Sequence, residues 1–250
     1  MKQNKIYIYG KHALREALTH VPQAVRRVYF LPQMEDGKLR NLAKQSGAIV
    51  EMLDKRKIPS WVEGGAAHQG AIGLLSLPDL MLRYEKFVET LNVTPHTSLV
   101  LLNEVQDPHN VGAVIRSAAA FGASAILLPG TNQAPVTGAV IKASAGMAFT
   151  LPLVSIENIQ QVVADLKKRG FRSYGLAGNG KQSVHTEAFD APTLFILGNE
   201  AKGLPQKTSQ ICDRVLSIPI NPQAESLNVA ASAAVALYAW SVKHTEALKK

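Results

Sequence analysis

Cysteine is nearly missing from this chain: Cys212 is the only one in 250 residues, so no internal disulfide can form and a reducing compartment is implied. Long apolar runs are missing too. The most apolar stretch, Leu227 to Trp240, is broken by Asn228 and Ser232 and falls short of a membrane span. Met1-Lys2-Gln3-Asn4-Lys5 leads into only Ile6-Tyr7-Ile8-Tyr9, too short and too polar at its flanks for a signal peptide. A cytoplasmic protein with no membrane contact is expected. No His/Cys cluster has metal-ligand spacing, so no metal is expected. Neither the phosphate-binding loop ending in Gly-Lys-Ser/Thr nor Gly-x-Gly-x-x-Gly occurs, and Ser, His and acidic residues lack a nucleophile elbow. His68 and His109 read as loop or core histidines. The chain has no internal repeat and no low-complexity tract.

What is present describes a globular protein, with 46% hydrophobic and 18% charged residues. The formal charge of +8 is uneven. Residues 1–80 hold 12 Lys/Arg against 7 Asp/Glu, whereas residues 98–250 hold 13 against 10. The basic N-terminal third includes Arg26-Arg27 and Lys55-Arg56-Lys57. Such clusters suit a polyanionic partner, because Lys and Arg displace counterions from phosphates; a merely soluble basic surface is the alternative.

Hydrophobic patterning predicts an α/β organisation throughout. In the first 77 residues, strands at 7–9, 25–31, 49–53 and 69–75 alternate with helices at 11–18 and 35–45. Residues 78–97 turn polar and are expected to be a linker with one short helix. From Ser98 the signals sharpen. Ser98-Leu-Val-Leu-Leu102 is a continuous apolar run suited to a strand buried on both faces of a parallel sheet. Strands at 125–128, 173–176, 193–197 and 215–220 follow, with helices at 111–121, 158–169 and 227–243. The last helix is apolar nearly all round, so burial on several sides is expected, inside one chain or against a second subunit.

Three loops follow predicted strands, where open α/β sheets bind ligands. In the first, Asn103 to Ser117, Asp107-Pro108 sets a turn, Asn110 is a competent N-cap, and Gly112 permits close packing. Arg116 lies well inside the helix at the lip of its apolar stripe; plain capping and a solvent-directed arginine are the alternative. The second, Ile196 to Gly203, brackets Glu200 with glycines that let backbone approach a flat ligand; a strand-to-helix turn explains it equally. In the third, Ile218 to Asn228, Ser226 is a candidate cap for the last helix, with Asn228 in its first turn.

Taken together and in order, these loops closely resemble the three motifs of the SpoU/TrmH branch of the SPOUT RNA methyltransferases. The matches are Asn-Glu-Val-x-Asp-Pro-x-Asn-x-Gly-x-x-x-Arg at 103–116, Leu-Gly-Asn-Glu-x-x-Gly at 197–203, and Ile-Pro…Ser-Leu-Asn-Val at 218–229. Tyr9-Gly10-x-His12-Ala13-Leu14 and His68-Gln69-Gly70 resemble the branch's small RNA-binding domain. Two features depart from the pattern: Val229-Ala230-Ala231-Ser232 replaces a Ser-Val-Ala continuation, and Asn199 stands where small residues are frequent.

The resemblance implies an L30e-like RNA-binding domain at 1–77, a linker at 78–97, and an α/β catalytic domain at 98–250 closed by a deep trefoil knot. It implies a homodimer with active sites at the interface and S-adenosyl-L-methionine held near Leu197, Gly198, Ile218, Ile220 and Leu227. Catalysis and substrate binding fall to Asn110, Arg116, Glu200, Ser226 and Asn228. The implied reaction is 2'-O-methylation of structured RNA, a guanosine of 23S rRNA in the form most similar. A tRNA substrate, a non-catalytic RNA-binding protein of the same fold, and a small-molecule enzyme with a nucleotide cofactor are the rival readings. Arg116 is expected to orient the ribose hydroxyl and a neighbouring phosphate and to stabilise developing alkoxide charge; the resemblance also allows it as the base.

Overall fold

The computed structural model describes residues 4–34, 36–53 and 69–249. Glu35, the Lys55-Arg56-Lys57 cluster and His68 lie outside the described residues.

The N-terminal part comprises β1 (Lys5–Tyr9), α1 (Lys11–His20), β2 (Val25–Phe30), α2 (Gly37–Gln45), β3 (Ile49–Met52) and β4 (Ala71–Ser76). The strands form a mixed sheet in the order β1-β4-β2-β3, with β1 on an edge. Helix α2 starts where its chemistry directs: the Asp36 side chain accepts from the Leu39 N–H at 2.9 Å.

Next come α3 (Leu77–Leu80), β5 (Met81–Arg83) and α4 (Tyr84–Thr90). The expected short helix of 78–97 is α4; α3 and β5 are additional to that expectation. Strand β5 pairs in parallel with β8 (Leu153–Ile156), Met81 opposite Leu153. Tyr84, Phe87 and Val88 of α4 are buried, and the Tyr84 hydroxyl donates to Asp165 at 2.7 Å. Three apolar residues at i, i+3 and i+4 make a sufficient inward face for so short a helix.

The remaining elements are β6 (Ser98–Leu102), α5 (Pro108–Ala120), β7 (Ala125–Pro129), α6 (Gly138–Ala143), α7 (Ile159–Lys168), β9 (Arg172–Leu176), β10 (Gln182–Ser183), β11 (Thr193–Leu197), α8 (Gln206–Ile211), β12 (Arg214–Ser217) and α9 (Val229–Ser241). Every strand pair in this second sheet is parallel, in the order β10-β12-β9-β11-β6-β7-β8-β5. All five residues of β6 and of β11 are buried, as central parallel strands covered on both faces require. The chain runs from β6 outward to β8 on one side and then crosses to β9 on the other. That reversal puts a topological switch point beside β6, and the loops after β6, β9, β11 and β12 leave neighbouring strand ends there.

One apolar cluster runs continuously from the N-terminal sheet and its helix (Ile6 and Phe30, with Leu14 of α1) to one face of the large sheet and the helix on it (Val100 and Phe195, with Trp240 of α9). Helix α9 is not buried all round. Val235, Tyr238 and Val242 are 39%, 58% and 57% exposed, and their spacing lines one side of the helix.

Helices α5 and α6 meet at Gly112, where an added Cβ would lie 2.4 Å from Ala143 Cβ and 2.7 Å from the Val140 carbonyl oxygen. Gly112→Ala gains about 1 kcal/mol of helix propensity. Overpacking against backbone that cannot rotate away costs about 1–3 kcal/mol, and here it outweighs that gain. Calorimetry of the Gly112→Ala chain should show a Tm lower by roughly 2–6 °C; an unchanged or raised Tm would mean that the seam yields.

Candidate active site

The first loop leaves β6 at Asn103, whose buried side chain donates to Thr208 Oγ1 at 3.2 Å. Glu104 takes a left-handed φ of +66°, an uncommon conformation for a residue with a side chain. Gln133 clamps the next residue from behind: its Oε1 accepts from the Val105 N–H at 3.0 Å and its Nε2 donates to the Val105 carbonyl at 2.8 Å. Helix α5 then begins, but its cap is Asp107, which accepts from the His109 N–H at 2.8 Å. Asn110 was expected to cap; with Asp107 already in place, it sits inside the first turn and its amide is free for other partners.

The second loop supplies those partners. Glu200 Oε1 accepts from the backbone N–H groups of Gln106 and Asp107 and from Asn110 Nδ2, each at 3.1 Å. Oε2 also accepts from the Gln106 N–H at 3.1 Å. Desolvation pushes the Glu200 carboxyl up, but the donors from Asp107, Asn110 and Gln106 outweigh it and hold the group below its usual range. The anion is thus the working form. Asn199 braces the same junction: its Nδ2 donates to the Glu104 carbonyl at 2.8 Å, while its Oδ1 accepts from the Ala201 and Lys202 N–H groups at 3.0 Å. Gly198 is required sterically, since a Cβ there would lie 2.4 Å from backbone atoms of Gly203.

The third loop closes the group. Asn228, not Ser226, is the cap of α9: its Oδ1 accepts from the Ala230 N–H at 2.8 Å and the Ala231 N–H at 3.3 Å. Its Nδ2 donates to Asn110 Oδ1 at 2.9 Å. Glu200, Asn110 and Asn228 therefore form one hydrogen-bonded chain across three segments distant in sequence.

Beside that chain lies a cavity of about 320 Å³ at the ends of β9, β11 and β12. Leu197, Gly198, Ile218, Ile220 and Leu227 all line it, as do Glu200 and Ser226. Asn199, Lys202 and Glu225, within the two loops singled out from sequence, line it too, as do Leu176, Ala177 and Gly178 at the end of β9, a loop that sequence reasoning missed. Gly178 and Gly180 directly after a strand were the available signal for the β9 loop. Arg116 is not gathered in. It is exposed and makes no hydrogen bond or ion pair with any described residue. Six residues along a helix place it roughly 9 Å from Asn110 along the axis and about 120° round it. Among the described residues no three metal-ligating side chains converge.

Comparison with known proteins gives this geometry a family. Residues 97–238 match the SpoU rRNA Methylase family, and residues 7–79 match the domain described as RNA 2'-O ribose methyltransferase substrate binding. The 23S rRNA (guanosine-2'-O-)-methyltransferase RlmB of Pseudomonas putida is 31% identical over 236 residues, spanning 92% of this chain and 94% of that protein. Its counterpart in Pseudomonas syringae pv. tomato is 32% identical over 235 residues, spanning 92% and 93%. Among solved structures, the SpoU methyltransferase AviRb from Streptomyces viridochromogenes superposes with a TM-score of 0.81 at 23% identity, covering 97% of this chain and 91% of that one. The same enzyme in complex with AdoMet gives a TM-score of 0.79 at 25% identity, with the same coverage. By a family match over more than half its length and relatives aligned nearly end to end, the chain belongs to the SpoU rRNA methylase family.

Proposed function

We propose that the chain transfers a methyl group from S-adenosylmethionine to the ribose 2'-hydroxyl of a guanosine in 23S rRNA. The observation that carries this reading is the Glu200–Asn110–Asn228 chain standing at the rim of a cavity of cofactor size. That cavity fits the cofactor's mixed chemistry. Ile220 and Leu227 offer exposed apolar side chains, Gly198 brings backbone close, and Lys202, Glu225 and Ser226 add polar groups at the wall. Leu197, Gly198, Ile218, Ile220 and Leu227 would hold it. When bound, S-adenosylmethionine supplies a methyl group already activated by its sulfonium.

The residues of the chain then have positional work to do. Glu200 stays ionised and fixes the start of α5, and Asn110 is held from both sides, so the first turn presents a rigid polar edge to the RNA. Arg116 would orient the 2'-hydroxyl and an adjacent phosphate and stabilise the alkoxide as it forms. A guanidinium is a poor proton acceptor, which favours that role over general base. Ser226 and Asn228 would shape the nucleotide side.

A homodimer completes this reading. The exposed stripe Val235, Tyr238 and Val242 on α9 is the kind of apolar surface a second copy covers, and Arg116, pointing away from its own chain's Asn110, would work at a site built by two chains. Residues 1–77, with their basic excess, would hold the RNA, and 98–250 the chemistry. The end of the chain is proposed to thread a trefoil knot. Supporting this, β12 passes the loop after β9 so closely that a Cβ on Gly180 would lie 2.5 Å from the Leu216 carbonyl carbon. A cytoplasmic site of action goes with ribosomal RNA as substrate; no described helix is long and apolar enough to cross a membrane.

Two substitutions test the assignment. Arg116→Ala should cut methyl transfer to unmodified 23S rRNA by at least about a hundredfold, the scale of losing one alkoxide-stabilising donor. Calorimetry should find its S-adenosylmethionine affinity within about twofold of wild type, and retained turnover would remove Arg116 from the mechanism. Glu200→Gln keeps the shape but turns one acceptor oxygen into an NH2 facing N–H donors. A hydrogen bond to a charged group contributes about 1.5–3 kcal/mol, and the exposed rim favours the lower figure. Turnover should therefore fall about tenfold; wild-type turnover in Glu200→Gln would show that the ionised carboxylate is dispensable.

A further inference from the structure

The two domains are joined by more than chain connectivity. The stretch 138–149, formed by α6 and the turn after it, touches three other elements through glycines or beside them. At Gly138 an added Cβ would lie 2.4 Å from the Tyr7 carbonyl oxygen and 3.7 Å from Tyr9 Cε2, so α6 abuts the edge strand β1 of the N-terminal sheet. At Gly146, whose φ is +86°, a Cβ would lie 3.2 Å from Glu16 Cγ on α1. At Gly112, on α5, a Cβ would strike Ala143. Gly112 and Gly138 lie outside the left-handed region, so glycine is needed there for space and not for backbone freedom.

The stretch is also stiff. Val140, Ile141, Ser144, Ala148 and Phe149 are all buried. Ser144 Oγ donates to the Ile141 carbonyl at 2.8 Å and accepts from the Ala148 N–H at 3.3 Å, and the Gly146 N–H closes onto the Ile141 carbonyl at 3.3 Å. Close-packed interiors transmit position instead of absorbing it. What touches β1 and α1 on one side therefore touches the helix carrying Asn110 and Arg116 on the other.

We infer that residues 138–149 are a fixed spacer setting the distance from the RNA-holding N-terminal domain to helix α5, and that this distance selects which ribose is methylated. The inference rests on the methyltransferase reading and adds to it a source of specificity. An RNA anchored on the N-terminal domain presents to Arg116 only the ribose at the matching separation, and a misplacement of about 1 Å is enough to cost about a hundredfold in rate. Gly138 is then a positioning residue, acting through α6 and touching neither RNA nor cofactor.

The test uses the full chain as wild type and as Gly138→Val, with S-adenosylmethionine and unmodified 23S rRNA. Forcing β1 away from α6 should leave cofactor binding at wild-type stoichiometry and within about twofold in affinity, and RNA KM within about threefold, because each half keeps its own surface. The same variant should lose about tenfold or more in kcat, or place methyl groups on neighbouring nucleotides when the product is mapped. A packing defect alone would lower Tm without producing that split between kcat and KM. If Gly138→Val does not unfold cooperatively, Gly138→Ala, with one methyl in the same contact, carries the measurement. Wild-type kcat at the wild-type nucleotide in the folded variant overturns the inference alone. A wild-type chain that methylates no RNA overturns the functional reading and this inference with it.

Discussion

The Glu200 carboxylate takes three donors from one short segment: the Gln106 and Asp107 N–H groups and the Asn110 amide. Those N–H groups stand at the positive end of α5, where a helix leaves donors unsatisfied and favours an anion. One side chain from the β11 loop thus anchors the start of a helix that follows β6, and Asn110 passes the constraint on to Asn228 at the start of α9. Remove the charge and three loops lose their common reference point. The parallel sheet makes this possible by setting β6 and β11 side by side, Leu102 opposite Leu197, so that both loops emerge at one level.

The same arrangement explains why the cavity and the polar chain share Glu200 and otherwise lie side by side. The cavity belongs to β9, β11 and β12, whereas Asn110 and Arg116 belong to the helix after β6. Glu200 is the element common to both, lining the cavity and holding the helix. A cofactor bound in the cavity and an RNA lying along α5 would therefore meet at Glu200 and Asn228. The spacer at 138–149 adds a second constraint on α5, from the N-terminal domain, so the helix is fixed from both ends of the substrate path.

Much of this could be read in the residues. The continuous apolar run at 98–102 marked a buried parallel strand, 193–197 read as a strand, and Gly112 marked close packing; Gly198 read as making room for a ligand, whereas it also makes room for the Gly203 backbone. Other features were beyond sequence logic for physical reasons. Asp107 and Asn110 are both competent caps three residues apart; Pro108 at the first helical position favours Asp107, but nothing local shows that Asn110 pairs with Glu200, ninety positions away. Ser226 and Asn228 posed the same ambiguity at α9. Strand β5 has three residues and α6 six, too short for periodicity to register, although the first completes the sheet edge and the second joins the domains. Helix α9 reads as buried on several sides because it is apolar nearly all round; within one chain Val235, Tyr238 and Val242 are exposed.

Asn110 and Asn228 form one unit held by Glu200. A double-mutant cycle measures that directly, using kcat/KM for methyl transfer to 23S rRNA by wild type, Asn110→Ala, Asn228→Ala and the double variant. If the residues form one hydrogen-bonded chain, the double variant should be barely worse than the poorer single one, a coupling energy of about 1 kcal/mol or more. Losses that add to within about 0.5 kcal/mol would mean that the two amides act independently, and the linked-loop site would be wrong.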